Sequence, residues 1–326
     1  MARAKSGGYL DTVEYVVEKH LDGAIVLDVI KKELGLSGST LRHLKFLEDG
    51  IVLNGERVTV RRVVHEGDRL SLATDDDAPQ EDLLPVALPL DVLYEDADVV
   101  VPDKPADMPT HPSHNHHEDT VANALAHRYR EMGIPFVFRP VNRLDRNTSG
   151  LLLIARNRPA AGRLSAAMRE GRIHKQYLAV LDGIPDRAEG VIETYIRRTA
   201  ESIIVRENCA EGEGGDRAIT HYRVLAAENG HALVLASPIT GRTHQLRVHF
   251  AGLGCPITGD DMYGAPSPHI ARHALHAYRL TFPKPSDNEP ITLCAPLHDD
   301  MRALVARFFT CPLSEILEKG TEYERN

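Results

Sequence analysis

Apolar positions recur along this chain with two periods. Near the start, Leu41, Leu44 and Leu47 follow Ser39 and Thr40 at three-residue spacing. That is the pattern of a short capped helix. Arg42 and Lys45, three apart, share another of its faces, and Gly50 closes it. In IVLNGERVTV, Asn54-Gly55 between β-branched runs predicts a hairpin, and DRLSLAT predicts a further strand. Later, VLYEDADVVVPDKPADM reads as strand, and SGLLLIA as a buried strand entered through the turn RNTSG. GRIHKQYLAVLDG predicts a strand ending at Asp182-Gly183. In SPITGRTHQLRVHFAGLGCPITGDDMYG, Thr243 is placed to cap a short helix with Leu246, Phe250 and Leu253 on its core face. Gly252 and Gly254 supply its stop, and Arg247 falls off the core face, free to reach a site. No internal repeat is present.

These elements divide into a small unit over about residues 10–74 and a larger one over 91–311, with a tail over 312–326. Between the units, residues 75–90 carry Pro79, Pro85 and Pro89 and read as a solvated acidic linker. With 326 residues, 42% of them apolar and 26% charged, the composition excludes a disordered chain or a cysteine-stapled scaffold. The net charge of −9 argues at first against a polyanionic partner. However, nine acids and no Lys or Arg lie between Asp75 and Val100, and that window holds the whole excess.

Charge inverts farther on. From Arg139 to Gln176 nine bases face only Asp145 and Glu170. Such a block attracts a polyanion. Asp145 sits inside it, at an element edge beside arginines that favour its ionised form. Either it acts as a nucleophile toward a sugar or base, or it merely orders the arginines. Local features alone favour the second. A lone Tyr177 on its strand likewise reads first as core packing. His111, His114, His116 and His117 suggest a metal, but no cysteine joins them, and a polar loop is the better reading. Cys209, Cys255, Cys294 and Cys311 form no C-x-x-C pair. With neither a signal peptide nor a spanning apolar run, the expectation is a cytoplasmic protein with reduced thiols, away from membranes.

Longer motifs change the weighting. NRLDRNTSGLLLIA, HKQYLAVLDG and TGRTHQLRVHFAGLGCPITGDDMYG, in that order, strongly resemble the motifs of RluA-family pseudouridine synthases. DKPADMPTHP, DRAITHYRVL and ALHAYRLTFPKP support the match, which spans about residues 91–298. The small unit looks, more loosely, like the ribosomal-protein-S-four-type RNA-binding module of the RluC and RluD branches.

This resemblance implies an α+β protein. Its catalytic domain would have a mixed, largely antiparallel sheet with flanking helices, preceded by a small α/β RNA-binding module. It implies an isomerase that converts uridine to pseudouridine in structured RNA, without cofactor or metal. By position, Asp145 matches the essential aspartate, Tyr177 the active-site tyrosine, and Arg247 the arginine that pairs with the aspartate. Arg143 matches the arginine that displaces the target base. Lys104, Arg242 and His244 are expected to contact substrate, as are Arg42 and Lys45 on the small unit. Large-subunit rRNA is the favoured substrate, with tRNA as the alternative. A catalytically idle ribosome-assembly factor is the competing class, and a monomer the default state. Asn142 stands where the family usually has His, Asp103 where Asn is usual, and Asp107 where glycine is common.

Overall fold

The computed structural model describes residues 12–34, 41, 44–45, 49–73, 83–113 and 115–322. Arg42, His114 and the acidic run at 75–77 lie outside the described residues.

The small unit is a four-stranded antiparallel sheet with a helix. In chain order its elements are β1 (Thr12–Val16), α1 (Val26–Lys32), β2 (Ile51–Leu53), β3 (Glu56–Arg57) and β4 (Arg69–Ala73), with sheet order β1-β4-β2-β3. Asn54 and Gly55 both take positive φ, 52° and 86°, the primed turn that matches strand twist. Val26, Val29 and Ile30 recur at helical spacing and are buried with Leu41, Leu44, Leu70 and Leu72.

The larger unit is built on one twelve-stranded sheet. Its first elements are β5 (Asp91–Glu95), β6 (Val99–Lys104), α2 (Val121–Glu131), β7 (Arg139–Pro140), β8 (Ser149–Leu151), β9 (Ile154–Ala155) and α3 (Arg158–Arg169). Then come β10 (His174–Asp182), β11 (Glu189–Arg198), β12 (Arg206–Cys209), β13 (Asp216–Glu228), β14 (His231–Pro238) and α4 (Gln245–Gly252). The chain ends with β15 (Leu275–Pro283), β16 (Pro290–Cys294), α5 (Asp299–Phe308) and α6 (Leu313–Glu322). Sheet order is β12-β11-β13-β14-β10-β15-β8-β6-β9-β7, with β16 on β15 and β5 on β6. Every pairing is antiparallel except β15 with β8. The architecture is α+β.

Strand alternation feeds two cores. Val99, Val101, Leu151 and Leu153 point to the side covered by α3, whereas Val100, Leu152 and Ile154 point to the side of α2. In β10 and β14, Leu178–Leu181 and Ala232–Leu235 are buried on both faces, so both strands read as unbroken apolar runs. Gly150 closes the one parallel contact. Its φ is +105°, and a Cβ there would come within 2.3 Å of the Ala277 carbonyl oxygen. Only glycine lets β8 approach β15 so closely. That approach fixes the turn leading out of Asp145.

Three expectations change. The later part of the linker is not solvated: Val86 donates its N–H to Asn123, whose amide donates back to Leu84, so residues 83–90 lie along α2. The acids after it are used in place. Glu95 accepts from Arg128 and Tyr129, each at 2.8 Å, and Asp96 accepts the N–H groups of Asp98 and Val99. The expected tail contains α6, which buries Ile316 on the core beside Leu313 and Leu317. Its amphipathic spacing was there to be read.

Candidate active site

The turn carrying Asp145 is anchored on several sides. Thr110 Oγ1 donates to the Leu144 carbonyl at 3.0 Å, and Asn142 Oδ1 accepts from the Leu153 N–H at 2.8 Å. Arg272 donates to the Asn147 carbonyl at 3.0 Å, and the Thr148 N–H closes the turn onto the Asp145 carbonyl at 3.0 Å. Leu144 is buried while its neighbours Arg143 and Asp145 turn out into one cleft of about 670 Å³. Alternation along an extended stretch explains that pattern.

Lys104 belongs to this scaffold. It is wholly buried, and its ammonium donates to the carbonyls of Pro105, Met108 and Arg146 at 2.7–2.8 Å. This corrects the expectation that it contacts substrate, because every donor is already engaged. Burial, then the charge of Arg272, pulls its pKa down to about 7, yet three carbonyl acceptors at once require the protonated form.

Across the cleft, α4 starts differently from the expected Thr243 cap. His244 is its N-cap residue, at φ 59°, and caps nothing with its side chain. The Gln245 side chain instead accepts from the Arg242 N–H and the Thr240 hydroxyl, and donates to Ile219 and Thr220. Leu253, expected on the core face, is 42% exposed.

Arg247, expected off the core face and free to reach a site, does line the cleft but is buried. Its Nε and Nη2 each donate to the Asp260 carboxylate at 2.7 Å. Its Nη1 lies 3.8 Å from Asp145 Oδ2, and its guanidinium sits over the Tyr263 ring. Burial opposes ionisation of Asp260, but the hydrogen bonds and charge of Arg247 outweigh it and hold the carboxyl below its usual range. The Asp145 side chain is 28% exposed, so it keeps an open side toward the cleft. A bidentate partner fixes a guanidinium plane far better than a single contact. The guanidinium plane of Arg247 is therefore fixed by Asp260 with Nη1 facing the Asp145 carboxylate.

Tyr177 lies in the cleft wall, nearly buried. Burial first, then the charge of Asp145, pushes its phenol well above the ordinary tyrosine value. It is a neutral phenol at physiological pH and a poor resting base. His244 also lines the cleft, its Nδ1 hydrogen-bonded with the Tyr263 hydroxyl at 2.8 Å; burial lowers its pKa. Arg143 and Arg242 are exposed on the rim. Arg242 donates to the Arg217 carbonyl at 3.1 Å. Lys45, on the small unit, is exposed.

Several participants escaped sequence reasoning. Asp260 and Tyr263 sit in the GDDMYG segment, where an acid following a buried arginine was the available signal. His273 contacts the Thr148 hydroxyl at 2.9 Å, and burial lowers it to about 3, so it backs the site as a neutral ring. Lys175 and His111 also line the cleft. Among the described residues, no three His, Cys, Asp or Glu side chains gather as a metal site. His116 instead pairs with Asp119 at 2.6 Å. No helix among those residues is long and apolar enough to cross a membrane.

Two departures from the family pattern have visible consequences. Asp107 occupies the left-handed region at φ 62°, where glycine is easiest, and pairs with Arg146. Asp103 receives His298 at 3.0 Å.

Comparison with known proteins agrees with this geometry. Residues 98–252 match the family described as RNA pseudouridylate synthase. YjbO of Bacillus subtilis, an uncharacterized RNA pseudouridine synthase, is 38% identical over 273 residues, covering 84% of this chain and 95% of that one. Ribosomal large subunit pseudouridine synthase D of Vibrio parahaemolyticus is 35% identical over 312 residues, covering 91% and 92%. The structure of human RNA Pseudouridylate Synthase Domain Containing 1 aligns with a TM-score of 0.54 at 32% identity, over 64% of this chain and 84% of that chain. Since the similarity runs through both walls of the cleft, the chain belongs to the RluA family of RNA pseudouridine synthases, isomerases that act on uridine within RNA.

Proposed function

We propose that this enzyme isomerises uridine in large-subunit ribosomal RNA and that Asp145 is essential. The observation that carries the reading is the Asp145 carboxylate, open to a cationic cleft and faced by an arginine that Asp260 already holds. The N1–C1′ bond breaks, the uracil turns, and C5 bonds to C1′. C5 loses one proton and N1 gains one, so nothing external is consumed. The target base is inaccessible in a stack, and flipping it costs a few kcal/mol that phosphate and stacking contacts offset. Arg143, exposed two residues before Asp145, fills the vacated gap. Tyr177 stacks on the uracil as a neutral phenol, and Asp145 acts on the ribose.

The small unit, with Lys45 exposed and Arg42 outside the described residues, serves as a second RNA contact. Relatives named ribosomal large subunit pseudouridine synthase D favour rRNA over tRNA. That substrate puts the enzyme in the cytoplasm, and a monomer is the default state.

The test is a pseudouridine map of rRNA and tRNA from cells lacking the gene, complemented with wild type or Asp145→Asn. Wild type should restore a large-subunit site and the variant none. Restoration by Asp145→Asn would remove the essential role, and restoration confined to tRNA would overturn the rRNA assignment.

A further inference from the structure

Two of the described cations lining the cleft, Arg143 and Lys175, face no acid. The others are occupied: Arg146 with Asp107, Arg247 with Asp260, and Arg242 with the Arg217 carbonyl and, at 3.8 Å, Asp216. Arg143 is exposed and hydrated by solvent. Lys175 is not. It is half-buried near the start of β10, and burial alone lowers its pKa, with no carboxylate offsetting the loss of water. A desolvated cation without a counter-charge is costly unless a ligand brings one.

Its position says which ligand. Lys175 and Tyr177 are two apart on one strand and both line the cleft, roughly 6.6 Å apart along the chain. Gly241 lies beside it in the same cleft: a Cβ built there would be 3.9 Å from Nζ, an ordinary contact distance. The anion must therefore be one that enters together with the base at Tyr177. We propose that Lys175 Nζ is a phosphate subsite, taking a backbone phosphodiester next to the uridine that enters the cleft. This rests on the reading that the nucleotide occupies the Asp145 cleft. The ammonium gains its counter-ion only when RNA is bound. Affinity is thereby tied to a phosphate at fixed distance from the base, rather than to the diffuse charge of the rim.

The probe is an oligouridylate, with either normal phosphodiester or neutral methylphosphonate linkages, titrated at several salt concentrations. Asp145→Asn serves as the background so that no turnover occurs. Adding Lys175→Gln should reduce the salt slope by about 0.7, one single-strand phosphate contact, and Lys175→Arg should restore it. The loss caused by methylphosphonate linkages should be smaller in Lys175→Gln than in its Lys175 parent. Equal slopes and equal methylphosphonate losses with and without Lys175, in variants whose melting temperatures match, would overturn the subsite. A parallel assay of pseudouridine formation by the wild type separates that result from failure of the assigned chemistry.

Discussion

Arg247 Nη1 stands 3.8 Å from the carboxylate of Asp145 because Asp260 holds the other two nitrogens, each at 2.7 Å. The Asp145–Arg247 pair is thus part of a triad, with its third member, Asp260, buried behind it. Asp260→Ala should cost about 3–5 kcal/mol of stability, the penalty for a buried charge left alone. It should also lower pseudouridine formation strongly. Denaturant melts together with a turnover assay check both. Unchanged stability would mean that Arg247 is held by other contacts.

Stability should fall in acid in two separable stages. Burial lowers His249, His273 and His276 to about 4, about 3 and about 4, against roughly 6.5 in an unfolded chain. Below pH 6.5 the unfolded state therefore binds more protons, and stability drops as pH falls toward 4. Asp260 acts in the same direction at lower pH: its folded pKa lies below the ordinary 3.8, so its contribution is intact above that range and lost only in stronger acid. Melting temperatures across pH 3–8 should show the decline beginning near 6.5. A flat profile down to pH 4 would contradict the buried neutral histidines.

The rate should show no alkaline limb set by Tyr177. Its phenol is raised by burial and by Asp145, so a mechanism needing phenolate would accelerate about tenfold per pH unit through the neutral range. Single-turnover rates from pH 6 to 9 on one RNA distinguish the two cases. A steep rise abolished by Tyr177→Phe would make Tyr177 the base.

Asp107 should restrain RNA binding. It occupies a left-handed backbone position and holds Arg146, the residue after Asp145. Asp107→Gly relieves the backbone and frees Arg146 for a phosphate, so affinity should rise and the salt slope steepen by up to about one contact. Weaker binding by the variant would show that the pair instead orders the site.

Much of the fold was legible locally. The Asn54-Gly55 turn, the β10 run and the helix carrying Arg247 each follow from neighbouring residues, because turn geometry and apolar periodicity are short-range properties. The candidate site was readable only as a set of motifs. Asp145, Tyr177 and Arg247 were singled out only by the family resemblance and line one cleft, but nothing local says that Lys104 is sealed under three carbonyls.

Residue order alone determined which segments become strands, where the chain turns, and that Asp145 lies amid bases while the acids gather elsewhere. Tertiary structure decided what those charges meet. Glu95 and Asp96 serve hydrogen bonds inside the fold, Arg247 is committed to Asp260, and Lys175 is left without a partner at the cleft. The reason is physical: charge is a property of a side chain, but its cost and its use depend on burial and on neighbours that the fold brings from distant parts of the chain.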